Sequence, residues 1–315
     1  MNEKTTLDKR IAVLSPERRR LLEKLKALKQ PSLLTENAPA IEARGSASLR
    51  LDAPVSLSDT KRLSREFYNN VSRQLDSTPV GEHAMFLNYG YASTGAQEYS
   101  PIELPERYLN RNSVKLILEL IGTVDLNGYE VLDVGCGRGG TSYVINRYFR
   151  TKRFVGLDLA PEAIRYCRKT HRYPGYSFQE GDAEQLPFDD CTFDVVTNVE
   201  SSHNYPDVSA FYLGVHRVLR PGGWFLYTDN VPATAWEAGT SYLRSLGMTL
   251  VHERNITANV LRSCDETASQ HRQAFQAPND QNAVDTFLAV PGSPIYDDMK
   301  KGKSEYRILH WRKNK

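Results

Sequence analysis

Between Tyr129 and Asn230 the sequence alternates between short strand-like segments and longer helix-like ones. EVLDVG and RFVGLDL are strand-like, while PEAIRYCRKT and DVSAFYLGVHRVL have the apolar spacing of amphipathic helices. A helix between two strands lets both strands run in the same direction. The alternation therefore predicts an α/β fold with a mostly parallel sheet and helices on both faces. Two later strand-like segments, GMTLVHERNIT and YRILHWRKN, extend the predicted sheet.

The first of these strands runs into a glycine-rich loop in VLDVGCGRGG, residues 131–140. Gly135, Gly137 and Gly140 have the G-x-G-x-x-G spacing of a dinucleotide site. However, a carboxylate at Asp133 is unfavourable beside a pyrophosphate, and it suits the ammonium and sulfonium of S-adenosylmethionine. We therefore predict S-adenosyl-L-methionine as the cofactor, with an NAD-dependent oxidoreductase as the competing enzyme class.

Carboxylates follow three successive strands of the predicted sheet: Asp133 the first, Asp158 in GLDLA the second, and Asp182 in EGDAEQLPF the third. Because the carboxyl ends of parallel strands meet at one edge, these acids should belong to one ligand site. We expect Asp158, beside Leu159, to accept from both ribose hydroxyls, and Asp182 and Ala183 to flank the adenine. Each acid alone could be an ordinary turn residue, and only the ordered set is specific.

The segments VLDVGCGRGG, GLDLA, GDAEQLPFDDCTFDVV and HRVLRPGGWFLYTD, in this order, resemble the motifs of class I S-adenosylmethionine-dependent methyltransferases. The resemblance covers roughly Asn88 to Asn230. Within it, the segment from Gly156 to Asp207 is similar to phthiotriol-type lipid methyltransferases. It is also similar to O-methyltransferases of polyketide, peptide and sugar-bearing natural products, and more distantly to sterol C-methyltransferases.

This resemblance implies a Rossmann-like, seven-stranded sheet whose last strand is antiparallel, an N-terminal helical lid over the donor, and no bound metal. It also implies that MFLNYGYAST lies against the donor, which adds Asn88, Tyr89 and Tyr91 to the candidate donor site. Asn198 and Glu200, at the end of the fourth strand, complete that set. The alternative for the tyrosines is a role in packing the lid.

Methyl transfer to a hydroxyl needs a group that accepts the hydroxyl proton, because a neutral alcohol is a poor nucleophile. His203 follows the fourth strand in NVESSHNYPD, and Asp229 ends the fifth strand in YTDN. An aspartate beside an imidazole fixes its tautomer and stabilises the imidazolium. We predict His203 as general base and Asp229 as its orienting partner, as in the O-methyltransferases that the chain resembles. The alternative is a histidine that merely caps a loop.

The chain divides into four predicted parts. Residues 1–30 contain LSPERRRLLEKLKALK, a predicted amphipathic helix that we expect to pack on its own domain or on a second copy. The alternative is docking to a biosynthetic megaenzyme, because the segment resembles ones at domain starts in nonribosomal peptide synthetases. Residues 31–56 have the composition of a linker, and residues 57–127 form the helical lid. Residues 128–315 form the donor-binding domain, with acceptor-pocket insertions at 231–305.

Forty basic and thirty-eight acidic side chains leave a formal net charge of +2, which gives no indication of a nucleic-acid partner. The four cysteines form no C-x-x-C pair, so neither a zinc site nor a disulfide framework is indicated. Arg138, in the glycine loop, is expected to be solvated or salt-bridged. No segment approaches the ~20 apolar residues that span a bilayer. We expect a cytoplasmic protein without a membrane span, and the sequence does not indicate its oligomeric state.

Together these observations predict an O-methyltransferase that acts on a bulky, apolar secondary metabolite of polyketide or polyketide-peptide type. Aromatic residues after Asn230 either line the acceptor pocket or belong to the core: Trp236, Tyr242, Phe275, Phe287 and Tyr296. The competing hypothesis is a C-methyltransferase of a lipid or isoprenoid acceptor, in which Glu200, Tyr205 and Trp236 stabilise a carbocation. A non-catalytic protein that keeps the fold is a third hypothesis, against which the intact histidine–aspartate pair argues.

Overall fold

The computed structural model describes residues 57–77, 81, 84–95, 98–108, 110–274 and 281–315. The amphipathic helix predicted for residues 1–30 and the linker predicted for residues 31–56 lie outside the described residues. In the part of the chain that is described, no helix is both long and apolar enough to cross a membrane.

One sheet contains all the strands of the described residues. Their bounds are β1 Glu130–Val134, β2 Arg153–Asp158, β3 Tyr176–Glu180, β4 Phe193–Val199, β5 Leu219–Val231, β6 Met248–Asn255 and β7 Glu305–Lys313. The order across the sheet is β3-β2-β1-β4-β5-β7-β6. The first five strands are parallel, and β7 runs antiparallel to both of its neighbours. The predicted α/β sheet of seven strands with an antiparallel last strand is confirmed.

Helices cover both faces of this sheet. Their bounds are α1 Leu57–Asp76, α2 Arg111–Ile121, α3 Gly140–Tyr148, α4 Pro161–Thr170, α5 Val208–Val218, α6 Ala233–Ser245, α7 Thr257–Ala274, α8 Gln281–Phe287 and α9 Pro294–Lys300. Short 3-10 turns at Ala183–Gln185 and Ser202–Asn204 follow β3 and β4. Because α3, α4 and α5 return the chain between parallel strands, the carboxyl ends of β1 to β5 all lie at one edge.

The central strands are buried on both faces, as β1 illustrates. Only its first residue is partly exposed. Val131 packs in the cluster that contains the apolar residues of α2, and Leu132 packs in the opposite cluster with those of α5. Burial on both faces explains why the strand reads as a nearly continuous apolar run. It also makes the buried carboxyl of Asp133 an exception that needs a chemical explanation.

The first two helices of the described residues differ in environment, although the sequence predicted both as parts of one lid. α1 is mostly exposed, and Asn69 on its buried side accepts a hydrogen bond from the backbone N–H of Glu162 in α4 at 3.1 Å. α2 is buried from Val114 to Ile121. Only α1 therefore has the surface position that the predicted lid requires, and a lid remains a prediction. α2 belongs to the core because apolar residues occupy most of its faces.

Candidate active site

A cavity of about 1450 Å³ opens at the carboxyl ends of the parallel strands. The loop after β1, the cavity-facing side of α1 from Thr60 to Gln74, and residues around Phe287 and Ser304 line it. Sites for one small molecule usually measure ~300–1000 Å³. This cavity therefore has room for a cofactor and a bulky second substrate together.

The glycines of the loop after β1 meet a backbone requirement. Gly135, Gly137 and Gly139 have φ angles of 71°, 50° and 80°, which residues with a Cβ rarely adopt. A Cβ on Gly135 would lie only 1.9 Å from the Oγ atom of Ser201. The glycines thus permit the tight turn and let a ligand approach the loop backbone closely.

Asp158, at the end of β2, lines the cavity and holds the glycine loop. Its Oδ2 atom accepts from the backbone N–H of Gly137 at 2.8 Å, and its Oδ1 atom accepts from that of Ala160 at 2.8 Å. Burial raises the pKa of Asp158, and these backbone donors oppose that rise. Each carboxylate oxygen keeps a further lone pair, so Asp158 can accept from two vicinal hydroxyls.

Asp133 is 1% exposed and lies just behind the cavity wall. Its Oδ1 atom accepts from the Oγ1 atom of Thr197 at 2.7 Å, whereas its buried Oδ2 atom has no hydrogen-bond partner. Burial raises the pKa of Asp133 to about 7, and the charge of Asp158 adds to that rise. A buried carboxyl with a free oxygen is suited to a cation and disfavours a phosphate.

Asp182 and Ala183 line the cavity at the end of β3, where α1 reaches the sheet. The Oδ1 atom of Asp182 accepts from the backbone N–H of Glu184 at 2.9 Å. Its Oδ2 atom pairs with the Nζ atom of Lys61 at 2.7 Å, and Lys61 also lies 2.5 Å from a carboxylate oxygen of Glu184. An ion pair therefore holds the beginning of α1 over this end of the cavity.

The remaining predicted donor residues divide between the cavity wall and the core. Those on the wall are Asn88, Tyr89, Leu159 and Glu200. Tyr91 is 1% exposed, and its ring packs near the cationic groups of Lys115 and Arg254, at 5.9 and 5.6 Å. Asn198 is fully buried and donates from Nδ2 to the carbonyl oxygen of Val134 at 2.8 Å. Tyr91 and Asn198 thus support the wall from behind rather than forming it.

His203 and Asp229 meet where β4 and β5 end. The Nδ1 atom of His203 donates to Oδ1 of Asp229 at 2.7 Å, and the backbone N–H of His203 donates to Oδ2 at 3.1 Å. Asp229 is fully buried and also accepts from the Oγ atom of Ser202 at 2.6 Å and from the backbone N–H of Asn230 at 2.8 Å. The side chain of His203 keeps 33% exposure and lines the cavity. The structure brings the two side chains together as the strand order predicts.

Each member of this pair stabilises the charged form of the other. Burial alone would lower the pKa of His203, but the charge and hydrogen bond of Asp229, with the charge of Glu200, raise that pKa above 6.5. Burial alone would raise the pKa of Asp229, but His203 and the hydrogen bond from Ser202 hold it below 3.8. Because Nδ1 donates to a carboxylate, neutral His203 has its lone pair on Nε2.

Glu200 ends β4 in a left-handed backbone conformation, with φ of 47°. Its Oε1 atom accepts from the backbone N–H of Tyr89 at 2.9 Å and from the hydroxyl of Tyr306. Burial raises the pKa of Glu200 to about 8, and the charge of Asp229 adds to the rise. Glu200 also lines the cavity, where its carboxyl group can contact a ligand.

Comparisons with known proteins agree with this geometry. A family model described as a methyltransferase domain matches residues 132–227. The fatty-acid O-methyltransferase of Mycolicibacterium smegmatis is 34% identical over 275 residues, covering 85% of this chain and 94% of that protein. The phthiotriol/phenolphthiotriol dimycocerosates methyltransferase of Mycobacterium tuberculosis is 36% identical over 272 residues, covering 82% and 95%. The chain belongs to the class I S-adenosylmethionine-dependent methyltransferases.

A solved structure supports the fold of this methyltransferase. The [4+2]-cyclase SpnF superposes with a TM-score of 0.60 at 18% identity, covering 81% of this chain and 97% of that one. Because the chain belongs to the S-adenosylmethionine-dependent methyltransferases, S-adenosylmethionine is the cofactor, which decides between the two ligands that the glycine spacing allowed. The free oxygen of Asp133 and the two acceptor atoms of Asp158 are compatible with its amino group and its ribose.

Arg138 of the methyltransferase forms a buried contact network that the sequence predicted only in part. Its side chain is fully buried, with the guanidinium 3.6 Å from the ring centre of Tyr166. It donates to four acceptors: the carbonyl oxygens of Ala84, Ser72 and Gly81 at 2.7, 3.1 and 2.9 Å, and Oδ1 of Asp76 at 2.8 Å. Of the two predicted environments for Arg138, the salt bridge is confirmed and solvation is wrong, and three carbonyl acceptors add to the ion pair. It ties the glycine loop to the end of α1 and to the segment that follows.

Two further cavity residues were missed, Tyr68 and Asn204. A signal existed for Tyr68, because Ser64, Phe67, Tyr68 and Val71 line the cavity and have the i, i+3, i+4, i+7 spacing of one helix face. No comparable pattern marks Asn204. It lies in the 3-10 turn after β4, and its side chain donates to the hydroxyl of Tyr68, which lies 136 residues away in the chain.

The predicted acceptor-pocket aromatics are mostly core residues. Phe287 lines the cavity, with its ring centre 5.6 Å from that of Phe67 and 6.4 Å from that of Tyr68. The other predicted aromatics that the structure describes pack in or against the core: Trp236, Tyr242 and Tyr296. Phe275 lies outside the described residues. The apolar wall of the cavity is thus shared between α1 and α8.

Proposed function

We propose that this methyltransferase transfers a methyl group to a hydroxyl of a bulky, apolar acceptor of lipid or polyketide type. The histidine–aspartate pair carries the proposal. An imidazole one third exposed to a large cavity is hydrogen-bonded, on its other side, to a fully buried carboxylate. Such a pair can take a proton from the cavity and balance the resulting charge.

Bound in the cavity, S-adenosylmethionine would supply an electrophilic methyl group to the acceptor oxygen, with cleavage of its carbon–sulfur bond, and would leave as S-adenosylhomocysteine. The hydroxyl proton passes to Nε2 of His203. Asp229 holds the Nδ1–H of His203, which leaves Nε2 free to accept, and its charge stabilises the imidazolium. The exposed part of the ring returns the proton to solvent.

For the donor, we infer that Asp158 accepts from the ribose hydroxyls and that Asp182 and Ala183 flank the adenine. The loop at Gly135 and Gly137 approaches the methionine part, whose ammonium pairs with Asp133. The support is the chemistry of the acids: Asp158 offers two acceptor atoms, and Asp133 has an unpaired buried oxygen. The Oδ2 atom of Asp182 accepts from Lys61, so the Oδ1 atom is the one suited to accept from the exocyclic amino group of the adenine.

Donor affinity should increase as the pH rises to about 7. Without donor, burial raises the pKa of Asp133 to about 7, and a bound ammonium should lower that pKa by stabilising the carboxylate. Below that pH, binding must release a proton. The dissociation constant of S-adenosylhomocysteine should therefore rise up to about tenfold per pH unit below 7. Calorimetry would measure it, and Asp133→Asn should bind weakly without this dependence. A pH-independent affinity of the unmodified protein would contradict the pairing.

An apolar, chain-like acceptor fits the remaining lining. Phe67, Tyr68 and Phe287 present a cluster of aromatic rings to the cavity, and Leu63 and Ile295 extend it. A cavity larger than a single small-molecule site leaves room for such an acceptor beside the donor. The names of the two relatives, which refer to a fatty acid and to phthiotriol dimycocerosates, support an acceptor of this chemical type.

A second candidate is C-methylation, and Glu200 is the observation in its favour. A buried acid beside Tyr89 and Tyr306 faces the cavity and could stabilise positive charge or take a proton from carbon. Methylation of a fatty-acid carboxylate is a third possibility. It differs from the main proposal because a carboxylate is already a nucleophile and needs no base.

A panel of acceptors with trideuteromethyl-labelled donor would distinguish these reactions. The panel contains a methyl-branched long-chain secondary alcohol, a fatty acid of matched length and an isoprenoid alkene, with product masses and fragments as the readout. We expect the label on the oxygen of the alcohol, and Asp229→Asn serves as the matched slow variant. Label found mainly in a methyl ester or on carbon would overturn the proposed hydroxyl acceptor.

A further inference from the structure

The Nε2 atom of His203, which faces the cavity, has a hydrogen-bond partner in the structure. The Nδ2 atom of Asn204 lies 2.8 Å from Nε2 of His203 and donates its other hydrogen to the hydroxyl of Tyr68 at 3.0 Å. All three residues line the cavity, and Tyr68 belongs to α1. A chain of hydrogen bonds therefore connects the lid helix to the imidazole.

We propose that Asn204 is a positioning residue that holds His203 neutral until the acceptor hydroxyl replaces its amide at Nε2, and that Tyr68 couples this exchange to the position of α1. The inference rests on the proposed function, because it assigns a control to the base named there. It concerns a residue that touches the base and does not take the proton itself.

The direction of the effect follows from which state the hydrogen bond stabilises. An N–H donated to Nε2 requires the lone pair of neutral imidazole, so Asn204 favours the neutral form and lowers the pKa of His203. Three charged or titratable groups lie near the His203 ring or near Asn204: Asp229 of β5, Glu200 at the end of β4 and Tyr68 of α1. Asp229 and Glu200 raise the pKa, and Asn204 is the neutral group that opposes them.

The second hydrogen bond of Asn204 makes the exchange feasible. An acceptor hydroxyl can occupy Nε2 only if the amide N–H that points at Nε2 moves away. The hydroxyl oxygen of Tyr68 accepts the other amide hydrogen at 3.0 Å, so the Asn204 side chain stays anchored when its contact with Nε2 is lost. When α1 holds Tyr68 near Asn204, Tyr68 anchors the amide both while the amide contacts Nε2 of His203 and after an acceptor hydroxyl has replaced it there. When α1 moves away, the amide keeps only its contact with the imidazole.

Two measurements on Asn204→Ala and Tyr68→Phe test this inference. The first is the pKa of the His203 ring from nuclear magnetic resonance of the donor-free protein, with the signal assigned by His203→Ala. The second is kcat/KM for the alcohol against pH at saturating donor. Asn204→Ala should raise the ring pKa by about 0.5–1 pH unit, the equivalent of one lost hydrogen bond, while donor affinity stays unchanged.

Tyr68→Phe keeps the ring of Tyr68 and tests the coupling to α1. It should raise the His203 pKa by a smaller amount than Asn204→Ala and raise KM for the acceptor. In the Asn204→Ala background it should cause no further pKa shift, because the connecting amide is gone. Asn314→Ala and Tyr129→Phe, at distant exposed positions, are the matched controls and should change nothing.

The outcomes separate this inference from the function on which it rests. The role of Asn204 is overturned if the His203 ring pKa does not change in Asn204→Ala. It is also overturned if Tyr68→Phe shifts that pKa by the same amount in the unmodified protein and in Asn204→Ala. A raised ring pKa with the expected non-additivity supports it. If the ring pKa rises while the kinetic pKa stays in place, the inference about Asn204 stands and His203 is not the base of the reaction.

Discussion

Turnover should fall by ~10²–10⁴ when His203 is replaced by alanine, while the affinity for S-adenosylhomocysteine stays unchanged. The variant removes the group whose Nε2 accepts the hydroxyl proton but leaves the glycine loop and Asp158 in place. Asp229→Asn should be similarly slow, because an amide can hold the ring in the wrong tautomer and cannot balance the imidazolium. Single-turnover rates and calorimetric donor binding, measured on the same preparations, separate chemistry from binding.

The pH dependence of the rate identifies the group that is lost. Asp229 and Glu200 raise the pKa of His203 above 6.5, and only the neutral imidazole can accept a proton. At saturating donor, kcat/KM should therefore rise with pH through a pKa above 6.5 and level off, and this limb should be absent in His203→Ala. His216→Ala, a substitution of the partly exposed histidine on α5, is the control and should keep the limb.

Near-wild-type turnover in both variants would mean that the pair is structural. Methyl transfer would then need no base, as with a carboxylate acceptor, or would use another acid. Glu200→Gln would distinguish these cases, because it removes the proton-accepting oxygen of Glu200 but keeps the size of the side chain. A large loss in Glu200→Gln alone would favour C-methylation.

Arg138→Met should lower the free energy of unfolding by about 3–5 kcal/mol. This is the largest loss of stability that we predict here for a single substitution. Methionine can fill much of the space, but it leaves the carbonyl oxygens of Ser72, Gly81 and Ala84 without their donor. It also removes the ion pair with Asp76. Urea unfolding would measure the loss.

The same substitution should release the lid from the glycine loop. Backbone amides in α1 should exchange hydrogen faster in Arg138→Met, while those of the core helix α2 change in proportion to global stability only. Arg150→Met, at an exposed arginine after α3, serves as the control. It should leave the free energy of unfolding within about 0.5 kcal/mol of that of the unmodified protein and should not change hydrogen exchange in α1. An unchanged unfolding free energy in Arg138→Met would refute the structural role described for this guanidinium.

The sequence by itself determined the sheet and the order of its site residues. Apolar strands alternate with amphipathic helices along the chain, which makes consecutive strands parallel. Right-handed crossover connections allow few topologies for such a sheet, so the carboxyl ends of the strands meet at one edge. Once Asp158, Asp182, His203 and Asp229 are assigned to strand ends, their convergence follows from topology. The adjacency of His203 and Asp229 needed no knowledge of side-chain packing.

Only the tertiary structure decided which residues face the cavity and which lie behind it. Tyr91 and α2 belong to the segment predicted as a lid, but both are buried in the core. Tyr68 is connected to the imidazole only through Asn204, which follows His203 directly but lies 136 residues from Tyr68 in the chain. Arg138 has the same character, because its acceptors lie 54 to 66 residues away. Local periodicity describes one face of one element, and a hydrogen bond between distant elements depends on how those elements pack.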